Sequence, residues 1–196
     1  MRHHTDTATF HLSKDACRAV LAFAGNDRTR ETLYCVRFDP PQGAIYATDG
    51  HALVRARNCG RSAGMAYSVP RPALEQAVRM LRRGSDELLV SRDGNEAVLE
   101  ARNDRAEPLG SLRAVVPKAE FPPVEQVFPA VPVEHPVSAI GFDASLLARV
   151  ELVQRAAGAT TCKLMLGYDD LSPAVVETND RYDATTWTAV IMPCRL

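Results

Sequence analysis

One arrangement occurs three times along this chain of 196 residues: a short apolar strand, an amphipathic helix, then two or three further strands. The helices recur roughly every 60 to 70 residues, a spacing suited to a duplicated supersecondary module rather than a solenoid unit. In the first copy, Thr9–Leu12 is the entry strand and Ser13 the helix N-cap, with Cys17, Val20, Leu21 and Phe23 facing inward. Strands are expected at Thr32–Phe38, Ala44–Thr48 and His51–Ala56, turned by Pro40–Gly43 and Asp49-Gly50. The second copy opens at Tyr67–Pro70 and continues with a helix over Pro72–Leu81, stopped by Gly84. A hairpin across Asp93-Gly94-Asn95 and a strand over Leu109–Val116 follow.

Residues 121–132 hold four prolines, which argues for extended chain crossing a surface, and their apolar neighbours suggest that it is pinned down. The third copy follows, with a short strand at Ile140–Phe142 and Asp143 as N-cap. Leu146, Leu147, Val150 and Val153 form its buried helix face, with strands at Thr161–Leu166, Ala174–Thr178 and Thr185–Met192. The expected domains are 1–131, two modules, and 132–196, one module. A lone module of this size buries little apolar surface. Pairing of the third module with another chain, giving a homo-oligomer, is therefore expected.

Charge is balanced, 23 basic against 24 acidic side chains, so no overall field points to nucleic acid or membrane. No run is long enough to span a bilayer, and the N-terminus lacks the apolar core of a signal peptide. Cys17, Cys35, Cys59, Cys162 and Cys194 are scattered and odd in number, and read as reduced, mostly buried thiols of a cytoplasmic protein. Neither a metal site nor a cofactor is expected. No H-E-x-x-H or phosphate-loop motif occurs, and Asp49-Gly50-His51 reads as a hairpin turn before it reads as an acid–base pair. An enzyme is not expected.

Three stretches resemble bacterial sliding clamps, the beta subunit of the replicative DNA polymerase III. Ala47-Thr48-Asp49-Gly50-His51-Ala52-Leu53 is similar to the family's ATDGHRLA. Phe121-Pro122 through Val127-Phe128-Pro129 resembles FPDYRRVLP, and Val190 to Leu196 resembles the C-terminal VVMPMRL. The resemblance covers the middle domain and the second half of the last one. It implies an α+β DNA-clamp fold with helices on one face of antiparallel sheets, and a polymerase processivity factor. Its peptide-binding groove for polymerases, loader or repair proteins would comprise Leu33, Thr48, Gly50, His51, Leu53, Pro122, Val127, Val190, Ile191, Met192, Pro193, Cys194, Arg195 and Leu196. Weak, non-specific contact with double-stranded DNA would fall to Lys14, Arg18, Arg71, Arg79, Arg82, Arg83, Arg149 and Arg155. Ala52, Glu125 and Gln126 replace basic residues of the family, making the rim less positive. The alternative is a clamp-like protein-binding module that occupies clamp partners without encircling DNA.

Overall fold

The computed structural model describes residues 9–60, 62–128, 140–167, 171–180 and 184–194. Strand β1 (Phe10–Ser13) leads into helix α1 (Lys14–Phe23), where the Ser13 side chain accepts from the Ala16 N–H at 3.1 Å. This satisfies one of the donors that every helix start leaves open. Strands β2 (Cys35–Asp39), β3 (Ala44–Thr48) and β4 (Ala52–Arg57) complete the first module. The second runs through β5 (Tyr67–Pro70), α2 (Arg71–Met80), β6 (Glu87–Asp93), β7 (Glu96–Arg102) and β8 (Pro108–Val115). The third holds α3 (Ala144–Ala156), β9 (Lys163–Met165), β10 (Ala174–Asn179) and β11 (Thr186–Ile191).

The strands form two antiparallel sheets, ordered β1-β6-β7-β8 and β5-β2-β3-β4-β11-β10-β9. The first two modules exchange their entry strands: β1 joins β6, while β5 joins β2. The helices lie on the inner faces. Phe10, Phe23, Phe38, Leu74, Leu88 and Ile191 fill the shared core, almost wholly out of water. This α+β architecture, with helices against antiparallel sheets, is the expected one.

The third module departs from expectation in one important respect: it has a mate within the chain. Strand β11 pairs with β4 over six residues, from Thr186 opposite Arg57 to Ile191 opposite Ala52. Helix α3 packs against α1, so Leu146, Val153, Trp187 and Ile191 belong to the same core as the first module. The premise of a module with nothing to bury against is thus corrected. Leu147, expected inward, is 40% exposed, because the face turned to α1 and β11 runs through Leu146, Val150 and Val153. Ile140–Phe142 is not a strand; only Gly141 bridges, to Cys194.

Two further expectations change. Helix α2 ends at Met80 with Leu81 as its C-cap, within a residue of the expected end, but Gly84 is not what stops it: the Asp86 carboxylate accepts from the Arg82 and Arg83 N–H groups at 2.6 and 2.7 Å. That carboxylate gives the freed backbone its partner without another helical turn. Of the cysteines, only Cys17 and Cys35 are buried, while Cys162 and Cys194 are exposed. Burial pushes the Cys17 thiol up to about 12, so it stays protonated and unreactive.

Over residues 121–128 the proline-rich connector is pinned as expected, though with a 3-10 turn at Val124–Val127 in place of extended chain, and its residues 129–132 lie outside the described residues. It crosses the outer face of the seven-stranded sheet. Phe121 packs on Cys35, Ala44 and Tyr46, and Phe128 on Leu53, Val175 and Val190. Between them Glu125 accepts from Tyr46 Oη at 2.7 Å, Arg55 Nη1 at 3.1 Å and Arg57 Nη2 at 3.3 Å. Arg55 also stacks 3.6 Å above the Phe128 ring. Glu125 is therefore a strut between connector and sheet, a role its place in the sequence does not reveal.

Candidate functional site

The turn between β3 and β4 and the end of β11 meet. Thr48 Oγ1 donates to the Ala52 carbonyl at 2.8 Å and accepts from the Gly50 N–H at 3.1 Å. Asp49 Oδ1 accepts from the N–H groups of His51 and Ala52 at 2.8 and 2.9 Å. These bonds close the turn around Gly50, whose φ of +94° lies where side chains are strained. The Met192 N–H then donates to the His51 carbonyl at 3.1 Å, and the Cys194 N–H to the Gly141 carbonyl at 2.9 Å.

The second oxygen of Asp49 accepts from Arg149 Nη1 on α3 at 2.6 Å. Burial pushes this carboxyl up, but Arg149 and the two backbone donors outweigh it and hold it below the usual carboxylate range. Asp49 thus spends both oxygens on turn closure and on Arg149, so its contact with His51 is to the backbone, not the ring. That is a structural role rather than acid–base chemistry. Among the described residues no three His, Cys, Asp or Glu side chains converge as a metal site would require.

The seam brings together most of the residues singled out by resemblance. Leu33 lies beside Gly50, where a Cβ would stand 3.7 Å from its Cδ1. Leu53 and Val190 face each other on the outer side of the sheet, nearly out of water beneath Val124 and Phe128. Thr48 is buried, with its hydroxyl used in the turn. What faces solvent is a rim of Gly50, His51, Val127, Met192 and Cys194, with Pro122 and Pro193 half-buried. Ile191 does not join this face. Alternation along β11 turns it into the core, where it is 0% exposed. Arg195 and Leu196 lie outside the described residues.

The basic side chains do not form one free array. Lys14 Nζ donates to the Leu81 carbonyl at 2.7 Å, and Arg71 spans Glu75 and the Ala24 carbonyl. Arg149 is held by Asp49 and lies 5.8 Å from the Phe23 ring centroid. Arg18 and Arg155 pair at the surface with Asp15 and Glu151. Arg79, Arg82 and Arg83, at the end of α2, are exposed and make no ion pair among the described residues. Sequence reasoning missed Phe128 and Arg55 as parts of this region, since nothing local marks a side chain that stacks across 70 residues.

A cavity of about 520 Å³ lies at the other end of β3, β4 and β11, lined by His11, Asp15, Asn58, Glu87, Arg155 and Trp187 among others. Its charges are mixed and it is remote from the seam.

The fold is that of the bacterial DNA clamp. No protein-family model and no curated protein sequence matches this chain. Among solved structures it is similar to the DNA polymerase III subunit beta of Pseudomonas aeruginosa, with a TM-score of 0.66 and 18% identity over 96% of this chain and 67% of that one. The Bacillus subtilis DNA polymerase sliding clamp gives 0.69 at 12% identity, over 100% and 66%. The H. pylori beta clamp in complex with diflunisal gives 0.69 at 12%, over 96% and 66%. The chain thus spans about two thirds of the length of these clamps, as a shortened version of the same architecture.

Proposed function

We propose that this chain is a non-catalytic, clamp-type tether that receives a linear peptide of a DNA polymerase, loader or repair protein at the β4–β11 seam. One observation carries the reading: the Met192-to-His51 backbone bond. It joins the C-terminal strand to the Asp49–Gly50 turn, making one surface from two segments that resemble clamp motifs. Exposed Met192 and Val127 offer adaptable apolar contact, and His51 and the backbone at Gly50 offer polar contact, as a peptide requires. The site residues assigned by resemblance are proposed as this receptor, with Ile191 acting from the core side. Fluorescence anisotropy with a labelled clamp-binding-motif peptide tests it: saturable binding lost in Met192→Asp supports the reading, and equal affinity in the two proteins refutes it.

For DNA, Arg79, Arg82 and Arg83 at the end of α2 would supply weak, salt-dependent phosphate contact. The second reading, a module that occupies clamp partners without encircling DNA, draws support from the internal commitment of Lys14, Arg71 and Arg149. Retention on nicked circular DNA but not on linear DNA separates the two.

A further inference from the structure

Trp187 is the chain's single tryptophan, and its indole N–H is buried with no acceptor among the described residues. A buried indole donor ordinarily finds a partner, so a ligand that brings an acceptor to it gains a bond the fold itself does not make. Trp187 lines the cavity of about 520 Å³ at the far end of β3, β4 and β11. That volume is in the range of small-ligand sites, and all three modules contribute to the wall. Leu12, Ile45 and Ala56 line it too, each no more than 2% exposed, and give it an apolar floor. Its charged groups stand where it meets solvent: the Asp15 and Glu87 side chains are 48% and 43% exposed. With Asp180 they bring three carboxylates. Against these stand Arg155, which donates to Glu151 outside the lining, and His11, whose Nδ1 lies 2.9 Å from Glu87 Oε1.

We propose that this cavity binds a small organic ammonium that carries a carbonyl. The carbonyl accepts from Trp187 Nε1, a short apolar stem crosses Leu12 and Ile45, and the ammonium reaches the carboxylates at the mouth. Asp15 spends Oδ1 on Arg18 and Glu87 spends Oε1 on His11, so each keeps a second oxygen for the cation. An anion would meet like charge at that mouth. A neutral apolar molecule would leave the indole N–H unpaired and the carboxylates unused. Residues 1–8 and 181–183 adjoin the lining in sequence and lie outside the described residues, so cover by the chain itself is the competing outcome. The site is separate from the seam and does not depend on peptide or DNA binding.

A single tryptophan gives a single indole N–H signal in the NMR spectrum of the nitrogen-15-labelled full chain, and that signal reads the cavity directly. The probe is N-acetylputrescine, which joins an amide carbonyl to an ammonium. Hexylamine, which lacks the carbonyl, and N,N'-diacetylputrescine, which lacks the charge, are the controls. The expected result is a saturable shift with N-acetylputrescine, and binding weaker by about tenfold or more for each control and in Glu87→Gln. No saturable shift, as cover by residues 1–8 or 181–183 would give, overturns the proposal. Equal affinity for either control, or in Glu87→Gln, overturns it as well. Both controls are read on the unaltered chain, so they decide the matter even if Glu87→Gln does not fold.

Discussion

Arg149 donates to Asp49 across 2.6 Å, tying α3 to a turn 100 residues earlier in the chain. The pair is largely withdrawn from water, with side chains 24% and 17% exposed. It makes the third module's helix a support of the seam rather than a free basic face.

Replacing Arg149 with Met leaves a half-buried carboxylate without its cation, and should lower stability by about 1.5–3 kcal/mol. Because the folded Asp49 carboxyl titrates below its unfolded value, its contribution is present above the ordinary carboxylate range and is lost as pH falls through the lowered folded value. Urea unfolding at neutral and acid pH checks both points. The wild type should lose its advantage over Arg149→Met at low pH.

Gly50→Ala places a side chain at φ +94°, with a Cβ 3.4 Å from the Arg30 guanidinium. We expect a loss of about 1–2 kcal/mol from backbone strain, and weaker peptide binding if the turn shifts. Thermal unfolding and anisotropy on the same variant would show the two effects together.

Glu125→Ala removes the acceptor shared by Tyr46, Arg55 and Arg57. The expected outcome is a connector that opens locally while the sheets stay intact. Hydrogen exchange should speed up over residues 121–128, with little change in β3 or β4.

Changing Arg79, Arg82 and Arg83 together to Ala should weaken association with duplex DNA. If all three contact phosphate, the slope of log affinity against log salt should fall in magnitude by about 3. An unchanged slope would place any DNA contact elsewhere.

Much of the fold is legible locally. Ser13 and Asp143 cap their helices as their side chains allow, Tyr67–Pro70 is a strand with the expected bounds, and Gly94 turns the β6–β7 hairpin at positive φ. The seam was legible only through resemblance, because Thr48, His51 and Met192 have no common periodicity. Leu147 misled because helical spacing marks an apolar stripe without saying how wide the neighbouring surface is. The basic residues misled in another way: Lys14, Arg71 and Arg149 were expected to face DNA, yet their heads find carbonyls and a carboxylate contributed by other modules.

The sequence alone determined what neighbours in the chain decide: caps, turns, strand alternation, and the module that recurs three times. Tertiary structure decided which module's strand adds to which sheet, and therefore that β11 closes on β4 and Glu125 braces the connector. Those choices depend on how side chains from distant segments fit and neutralise one another. Such complementarity appears only once the segments are placed in space.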